Sequence, residues 1–505
     1  MNRLVRAAGS ISFFTLLSRI AGLVRDSLMV QALGAGWVQG TFLLAWTLPN
    51  LMRRLLGEGA LSASLVPAYA RARRDDPAAA RTLLAQVVGA VVALLTPLCA
   101  LVAVGSLLLP AEWLPAPDDG GVPAMRLLLS LNAILFAYAL PAAVPIVLNL
   151  FWIAALLLAK PLGFTVDVDV AHFAAWWLSV GGVLQLLLVL WPLWRRGELL
   201  RPPLGWPAKG TAARGVFVAM LPTVLGMSLN QVSSLLDQLM AYYLVSPGAV
   251  TYVYLANRLL LFPHALTAMS VAVAVFPKLA HEAHDVDRSQ MRRTLDLAAA
   301  ATILVTVPAS AGLIVLGEDV VRVLFVRGKF GEADIGPTVW TTNCLVAGLP
   351  FLGLAQLYAR AYYAIGDMKT PARLAAWLVL LNVALNAVLV TTTSLGTAAL
   401  TLSSSLSALA NAALLAWGLR SHAPAAHDLG KAWLRTLVAT AAMCATLPFL
   451  QLAAPDASRM TKALLDVAFP IAVGIAVYVA AHAAMRSPEL SAVLARVQKR
   501  GGAAG

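Results

Sequence analysis

Four arginines and one glutamate, Arg19, Arg25, Arg53, Arg54 and Glu58, lie in stretches otherwise apolar enough to cross a bilayer. An ionisable group at membrane depth costs roughly 2.5–3.5 kcal/mol on insertion scales, and such groups face a water-filled cavity, a partner or an ionic substrate. Guanidiniums clustered in this way point to a cavity that receives an anion. In "SRIAGLVRD" at 18–26, Arg19 and Arg25 are six positions apart. That is about 600° of helix, so the two stand about 120° off a common face unless Gly22 lets the helix bend. Arg19 reads either as a ligand or as a basic side chain snorkelling to the membrane surface. Arg25, followed by Asp26, reads either as a ligand or as half of a local ion pair. In "LPNLMRRLLGEG" at 48–59, Arg54 and Glu58 stand one turn apart and can pair, which leaves Arg53 free. A guanidinium keeps its charge and presents a planar fork matched to phosphate oxygens, so a diphosphate suits it better than a zwitterion. Farther on, "LNQVSSLLDQ" supplies Asn230, Gln231 and Asp237, and "ANRLLLFP" supplies Arg258. Arg258 is either a ligand or the partner of a carboxylate. Asp237 either binds a coupling cation or pairs with an arginine.

The elements that must position these residues are membrane helices. Of 505 residues, 60% are hydrophobic and 12% charged, against roughly 25% charged in a soluble domain; the mean hydropathy is +0.80. Apolar windows near 9–33, 37–70, 82–109, 124–140, 142–161, 170–194, 214–245, 249–278, 291–316, 336–364, 370–392, 397–419, 431–452 and 463–485 predict about fourteen transmembrane helices in an all-α polytopic protein. The first is expected to be a membrane helix and not a cleaved signal, since it holds Arg19 and Arg25 and lacks a small-residue exit site. Cys99, Cys344 and Cys444 are isolated in apolar windows, which argues against disulfides and a metal centre. The net charge of +13 is spread over many short loops with no basic stripe, which argues against nucleic acid.

Cytoplasmic loops collect Lys and Arg. With the N-terminus inside, the inner loops carry Arg71, Arg73, Arg74 and Arg81, then Arg195, Arg196 and Arg201, then Arg288, Arg292 and Arg293, while outer loops hold Glu112, Asp118, Asp119, Asp167 and Asp169, with one mixed exception at 317–335 that includes Arg322, Arg327 and Lys329. Both termini are expected to be cytoplasmic. Two short helices are assigned to 124–163, because a single crossing there would reverse the charge rule downstream. "ALSASLVPAYARA" at 60–72 resembles "SVAVAVFPKLAHEA" at 270–283, and parallel repeats of this kind place substrate between halves near the midplane. The expected organisation is a six-helix bundle over 1–200, a second over 201–425, two further helices over 426–490 and a cytoplasmic tail over 491–505. "HEAH" at 281–284 has the wrong spacing for a zinc helix and is expected in a loop. "VRGKFGEAD" at 326–334 reads as an outer-loop run of solvated charge, and the absence of a Walker A sequence argues against ATP hydrolysis.

"SRIAGLVRD", "GAG", "LPNLMRRLLGEGALSASLVPAYA", "VGGVLQLLLVLWPL", "LFVRGKF" and "YYAIGDMKTPARLAAWLVLLNVALN" together resemble the MurJ (MviN) family, the lipid II flippases of the multidrug/oligosaccharidyl-lipid/polysaccharide exporter superfamily. The resemblance implies two six-helix bundles in a V around a central cationic cavity, with helices 13 and 14 forming a groove for a polyprenyl tail. It implies that lipid II, an undecaprenyl diphosphate carrying a disaccharide-pentapeptide, enters from the cytoplasmic leaflet and leaves by alternating access. The family's cavity arginines fall on Arg19, Arg25, Arg53 and Arg258, and its glutamate on Glu58; Asp26, Arg54 and Glu58 are then gating or ion-pairing groups. A cation site of some members would fall on Asp237, Asn382 and Asn386, although Asn386 stands where an acid is expected. Gly40 likewise stands where relatives usually carry an Asp after the GAG turn. No cofactor is expected beyond Na+ or another coupling cation and the membrane potential. The expected setting is the bacterial inner membrane, with lipid II and membrane lipids as partners, cell-wall synthesis proteins as further ones, no nucleic acid, and a monomeric state. The rival readings are an exporter of another polyprenyl-linked glycan, a membrane glycosyltransferase and a non-transporting cell-wall scaffold. The glycosyltransferase is disfavoured because its carboxylates would have to be positioned at the membrane face, and here they are scattered.

Overall fold

The computed structural model describes residues 2–52, 60–114, 121–129 apart from 124 and 127, 145–195, 197, 202–266, 268–284, 288–421, 429–450, 461 and 463–490. Arg53, Arg54 and Glu58, most of the window at 124–140, the start of that at 142–161 and the tail at 491–505 therefore lie outside the described residues. The described residues are almost entirely helical, with one isolated antiparallel bridge between Arg327 and Phe330. Contacts divide the chain into two compact units, one of Met1–Thr251 with Arg327–Phe330, the other of Tyr252–Val326 with Gly331–Gly505.

The first unit contains α1 (Asn2–Leu33), α2 (Trp37–Met52), α3 (Ala60–Asp75), α4 (Pro77–Leu107), α5 (Pro145–Ala159), α6 (Asp167–Arg195) and α7 (Ala212–Met240). The start of α4 shows the local logic. The Asp76 carboxylate accepts from the Ala78 N–H at 2.8 Å, and Pro77 occupies the first helical position, where its missing N–H costs nothing. Leu83, Val87, Val91 and Leu95 then pack against Val216 and Phe217 of α7, while Val88, Val92, Leu101 and Val104 are exposed. A helix apolar on its outward side as well as its packed side is adapted to lipid.

Three turns meet where α1 gives way to α2. A Cβ on Gly40 would overlap the carbonyl of Pro247, and one on Gly248 would overlap the carbonyl of Ala35. Gly328, at φ +54°, lies against the Gln31 carbonyl, which also accepts from the Lys329 N–H at 3.1 Å. Lys329 pairs with Asp167, and Phe330 is buried. The segment expected as a solvated charge run is thus partly docked, because its glycine and aromatic residues anchor its charges. The window at 214–245 is also not uniformly α-helical: it closes in a π-turn, Ala241–Val245, whose Tyr242 hydroxyl lies 2.9 Å from the Thr41 hydroxyl and 3.1 Å from the Met125 sulfur.

The second unit continues with α8 (Ala249–Leu266, which begins at the boundary), α9 (Ala268–Glu282), α10 (Ser289–Val315), α11 (Gly317–Phe325), α12 (Ile335–Val346), α13 (Leu349–Ala364), α14 (Lys369–Thr392), α15 (Thr397–Leu419), α16 (Leu429–Thr446) and α17 (Phe469–Ala484). Leu279 of α9, Leu295 and Ile303 of α10, Leu357 and Ala361 of α13 and Leu415 of α15 share one core. His281 and Glu282 belong to the last turn of α9 and not to a loop.

The window at 336–364 is broken between α12 and α13 at Ala347 and Gly348. Gly348 packs so tightly on Ser405 that a Cβ would stand 2.8 Å from its Cα. The Ser405 hydroxyl donates to the Leu345 carbonyl at 3.1 Å and the Ser310 hydroxyl to the Val346 carbonyl at 2.6 Å. Hydroxyls from neighbouring helices thus satisfy backbone groups at a break within a membrane segment, where water is scarce. Eight described segments are long and apolar enough to cross a bilayer, counting 332–364 as one, and all eight fall on expected windows.

The last two helices are fastened at two levels. The Tyr478 hydroxyl donates to the Leu304 carbonyl of α10 at 2.6 Å and lies 3.0 Å from His482 Nε2. Beyond the end of α17, Arg435 pairs with Glu489 at 3.0 Å, and the Ser487 hydroxyl donates to the same carboxylate at 2.6 Å. Burial raises the Glu489 pKa, but the Ser487 hydroxyl, its own backbone N–H and the Arg435 guanidinium together bring it below its ordinary 4.5. A depressed carboxyl stabilises the fold above its unfolded pKa and loses that contribution as pH falls through the folded one. Amide protection of α17, exchange corrected for its intrinsic pH dependence, is therefore expected to be greater at neutral pH and to fall in acid below about 4.5, and Glu489→Gln is expected to flatten that dependence.

Candidate functional site

Arg25 is the most completely built of the charged groups expected to do chemistry. It is 6% exposed, and the adjacent Asp26 is 1% exposed. Its Nε and Nη2 donate to Asp26 Oδ1 at 2.9 and 2.6 Å, and Nη1 donates to Asn149 Oδ1 of α5 at 2.9 Å. The guanidinium carbon stands 4.5 Å from the centre of the Trp152 ring. Trp152 is held edge-on by Phe42 at 5.5 Å and Trp46 at 4.9 Å. The local ion pair, one of the two readings open from sequence, is what the structure contains. A pair this deeply desolvated is not in itself a source of stability, but losing one partner costs about 3–5 kcal/mol.

Arg19 lies on an exposed part of α1, near exposed Leu17, Ile20 and Val24. The helix runs unbroken through Gly22, so Arg19 and Arg25 face apart as their spacing implies. In the second unit, Arg258 is half-buried on α8; its Nη2 donates to the Tyr254 hydroxyl at 2.7 Å and its guanidinium lies 4.8 Å from that ring's centre. A further cation of the second unit escaped the sequence reading. Arg360 of α13 has a buried Nη1 with no hydrogen-bond partner among the described residues. One turn before it, Gln356 Nε2 lies 3.1 Å from His264 Nε2.

Asp237 is half-buried near the end of α7, in the first unit. Asn382 and Asn386 are buried on α14, in the second. Asn386 Nδ2 donates to Asn382 Oδ1 at 3.3 Å, and Asn382 Nδ2 donates to the Ser404 hydroxyl at 3.5 Å. Both side chains are neutral and offer carbonyl oxygens, that of Asn382 engaged by the Asn386 amide N–H. Among the described residues no group of three metal-ligating side chains occurs.

Asn149 and Trp152 were also missed. Asn149 is a single polar residue in "PIVLNLFWIAALLLA", and that isolation was the available signal, because a lone amide in an apolar helix needs a partner.

A family model described as lipid II flippase MurJ matches residues 29–114 and 127–465. The chain is 30% identical over 446 residues to the probable lipid II flippase MurJ of Vibrio cholerae, with 83% of each chain covered. It is 29% identical over 464 residues to the lipid II flippase MurJ of Burkholderia cenocepacia, covering 86% of this chain and 87% of that one. Among solved structures, lipid II flippase MurJ in an inward closed conformation superposes with a TM-score of 0.73 at 19% identity, covering 94% of this chain and 98% of that one. An inward-facing MATE family transporter of the MOP superfamily superposes with a TM-score of 0.59 at 14% identity, covering 80% and 94%.

Proposed function

This chain belongs to the lipid II flippase MurJ family, and from that membership we propose that it carries lipid II from the cytoplasmic to the outer leaflet by alternating access through a cationic cavity. It is a transporter and not an enzyme. The observation that carries the substrate class is the family match over 29–114 and 127–465, nearly the whole chain. The mechanism is supported by guanidiniums set in apolar stretches of the sequence. Arg19, Arg25, Arg53 and Arg258 engage the diphosphate, whose charged oxygens accept bidentate N–H donors more strongly than neutral groups do. Asp26, Arg54 and Glu58 compensate these charges when the ligand is absent. A ligand shifts a conformational equilibrium only by its differential affinity for the two states, so some arginine contacts form in one state alone.

The remaining features belong to the same proposal. Fourteen crossings form bundles over 1–200 and 201–425, with a lipid-tail groove over 426–490. The basic loops favour a cytoplasmic setting for both termini and the 491–505 tail, in a bacterial inner membrane. The protein works as a monomer among membrane lipids, in reach of cell-wall synthesis proteins. The cycle is driven by membrane potential or by Na+ or another coupling cation.

The test is replacement of the resident flippase in a depleted bacterium, reading growth and outer-leaflet lipid II. The parent protein is expected to restore both, and well-inserted Arg53→Ala and Arg258→Ala variants neither. A correctly inserted parent that restores growth in no such strain would sink the reading and favour another polyprenyl-linked glycan or a scaffold.

A further inference from the structure

We propose that Tyr478 and His482 of α17 are positioning residues: the Tyr478 hydroxyl docks on a backbone carbonyl that Pro308 has freed in α10, and that bond sets the register in which the last two helices lie against it. The consequence for transport rests on the reading of 426–490 as a groove for the lipid tail.

A proline within a helix has no N–H for the carbonyl four residues earlier, and its ring pushes that carbonyl aside. Pro308 lies inside α10, so the carbonyl it frees is that of Leu304. Tyr478 donates to this same atom, at 2.6 Å. A hydroxyl has one proton and a carbonyl can only accept, so the proton between Tyr478 and His482 belongs to the imidazole, whose Nε2 donates to the phenol oxygen across 3.0 Å. In the neutral ring this fixes the tautomer and leaves Nδ1 a bare lone pair, in agreement with its lack of a hydrogen-bond partner among the described residues. The bonds from imidazole to phenol to carbonyl run in one direction, so each polarises and strengthens the next. Thr436 of α16, 1% exposed, also hydrogen-bonds the phenol. Thus α10, α16 and α17 meet at one oxygen.

The packed face of α17 is narrow. Its buried residues, Pro470, Gly474, Tyr478 and His482, recur every four positions, whereas Phe469, Ile471, Ile475 and Val479 are exposed. In a bilayer, apolar side chains gain little by leaving lipid for a neighbouring helix, so close approach at small residues and interhelical hydrogen bonds decide how helices associate. Gly474 supplies the close approach, since a Cβ there would stand 3.1 Å from Leu447 and 3.3 Å from Met443. Tyr478 supplies the hydrogen bond. Pro308 is the one proline of α10, so a slip of α17 by a turn in either direction would bring the hydroxyl to a carbonyl that keeps its own helical N–H. The freed carbonyl therefore marks a single register, and with it the height at which the groove helices sit.

Two double-mutant cycles test the bond, read as amide-exchange protection of α17 in the full chain in lipid nanodiscs. Tyr478→Phe keeps the ring and is expected to lower protection about three- to twentyfold, the span of interhelical hydrogen bonds in membranes. Pro308→Ala returns an N–H to the Leu304 carbonyl, and in that background Tyr478→Phe is expected to cost less than about twofold. His482→Leu is expected to weaken protection in the parent and to add nothing to Tyr478→Phe, because it acts through the hydroxyl. No loss in Tyr478→Phe, or a loss that Pro308→Ala leaves unchanged, overturns the inference; if the Pro308 variant does not fold, additive losses at 478 and 482 overturn it. The effect on transport is read as KM and kcat for flipping lipid II with its undecaprenyl tail and a farnesyl-tailed analogue. Tyr478→Phe is expected to raise KM for the long tail about threefold with kcat retained, and to leave the short-tailed analogue unchanged. Equal effects on the two tails overturn the positioning role. A parent that flips neither lipid overturns the functional reading, while the exchange cycles still decide the bond.

Discussion

Replacing Arg25 by alanine is expected to abolish transport and to lower stability by about 3–5 kcal/mol, because it removes the guanidinium paired with a buried carboxylate. Asp26 is 1% exposed and accepts two hydrogen bonds from Arg25 through a single oxygen. Removing the whole pair, as Arg25→Ala with Asp26→Ala, removes both charges and is expected to recover part of the lost stability, since no buried charge of the pair remains while the neutral Asn149 oxygen loses its donor. Transport is expected to stay at background in the double variant. Thermal unfolding in detergent reports the first quantity and outer-leaflet lipid II in a depleted strain the second. Parental flux from either variant would show that the guanidinium has no part in carrying the substrate.

Introducing the acid that the family resemblance leads one to expect, Gly40→Asp, is expected to prevent this chain from folding normally. The clash is with the carbonyl oxygen and carbon of Pro247, which are backbone atoms and cannot rotate aside as a side chain would. Overpacking a tight site costs roughly 1–3 kcal/mol and occasionally more; with two helix ends in contact at Gly40 and Gly248, a loss of about 3 kcal/mol is expected for Gly40→Ala and no less for aspartate. Gly36→Ala is the control, since a Cβ there meets nothing within 4 Å. The yield of monodisperse protein and its melting temperature check this. A G40D variant that melts with the parent would mean that the two turns are not held together as described.

The helices were legible because each apolar window reports its own burial in lipid, and all eight segments long and apolar enough to span fell within such windows. The break at Ala347 and Gly348 was not legible. Hydropathy continues across it, and the hydroxyls that satisfy it come from Ser310 and Ser405, far away in sequence. Gly40 was visible as a departure from the family pattern, but its cause was hidden because a close backbone approach leaves no trace except the glycine. Arg25 beside Asp26 announced its pairing through adjacency. Asn149, 124 residues from Arg25, could be suspected only as a polar residue without a stated partner. The 326–334 segment was misread in part because charge content describes solvation, while Gly328 and Phe330 determine docking.

The four residues Arg327–Phe330 belong to the first unit, although every other member of that unit precedes Tyr252. A ribosome making roughly 5–20 residues per second needs on the order of 4–15 s to travel from Thr251 to Arg327. Over that interval Gln31 waits for its Lys329 donor, Gly34 for its neighbour and Asp167 for its ammonium. Completion of the first unit is thus a late event of biogenesis, reached only after α8 to α11 have emerged. Until then the Gln31 carbonyl and the Asp167 carboxylate face the insertion machinery without their Lys329 donors.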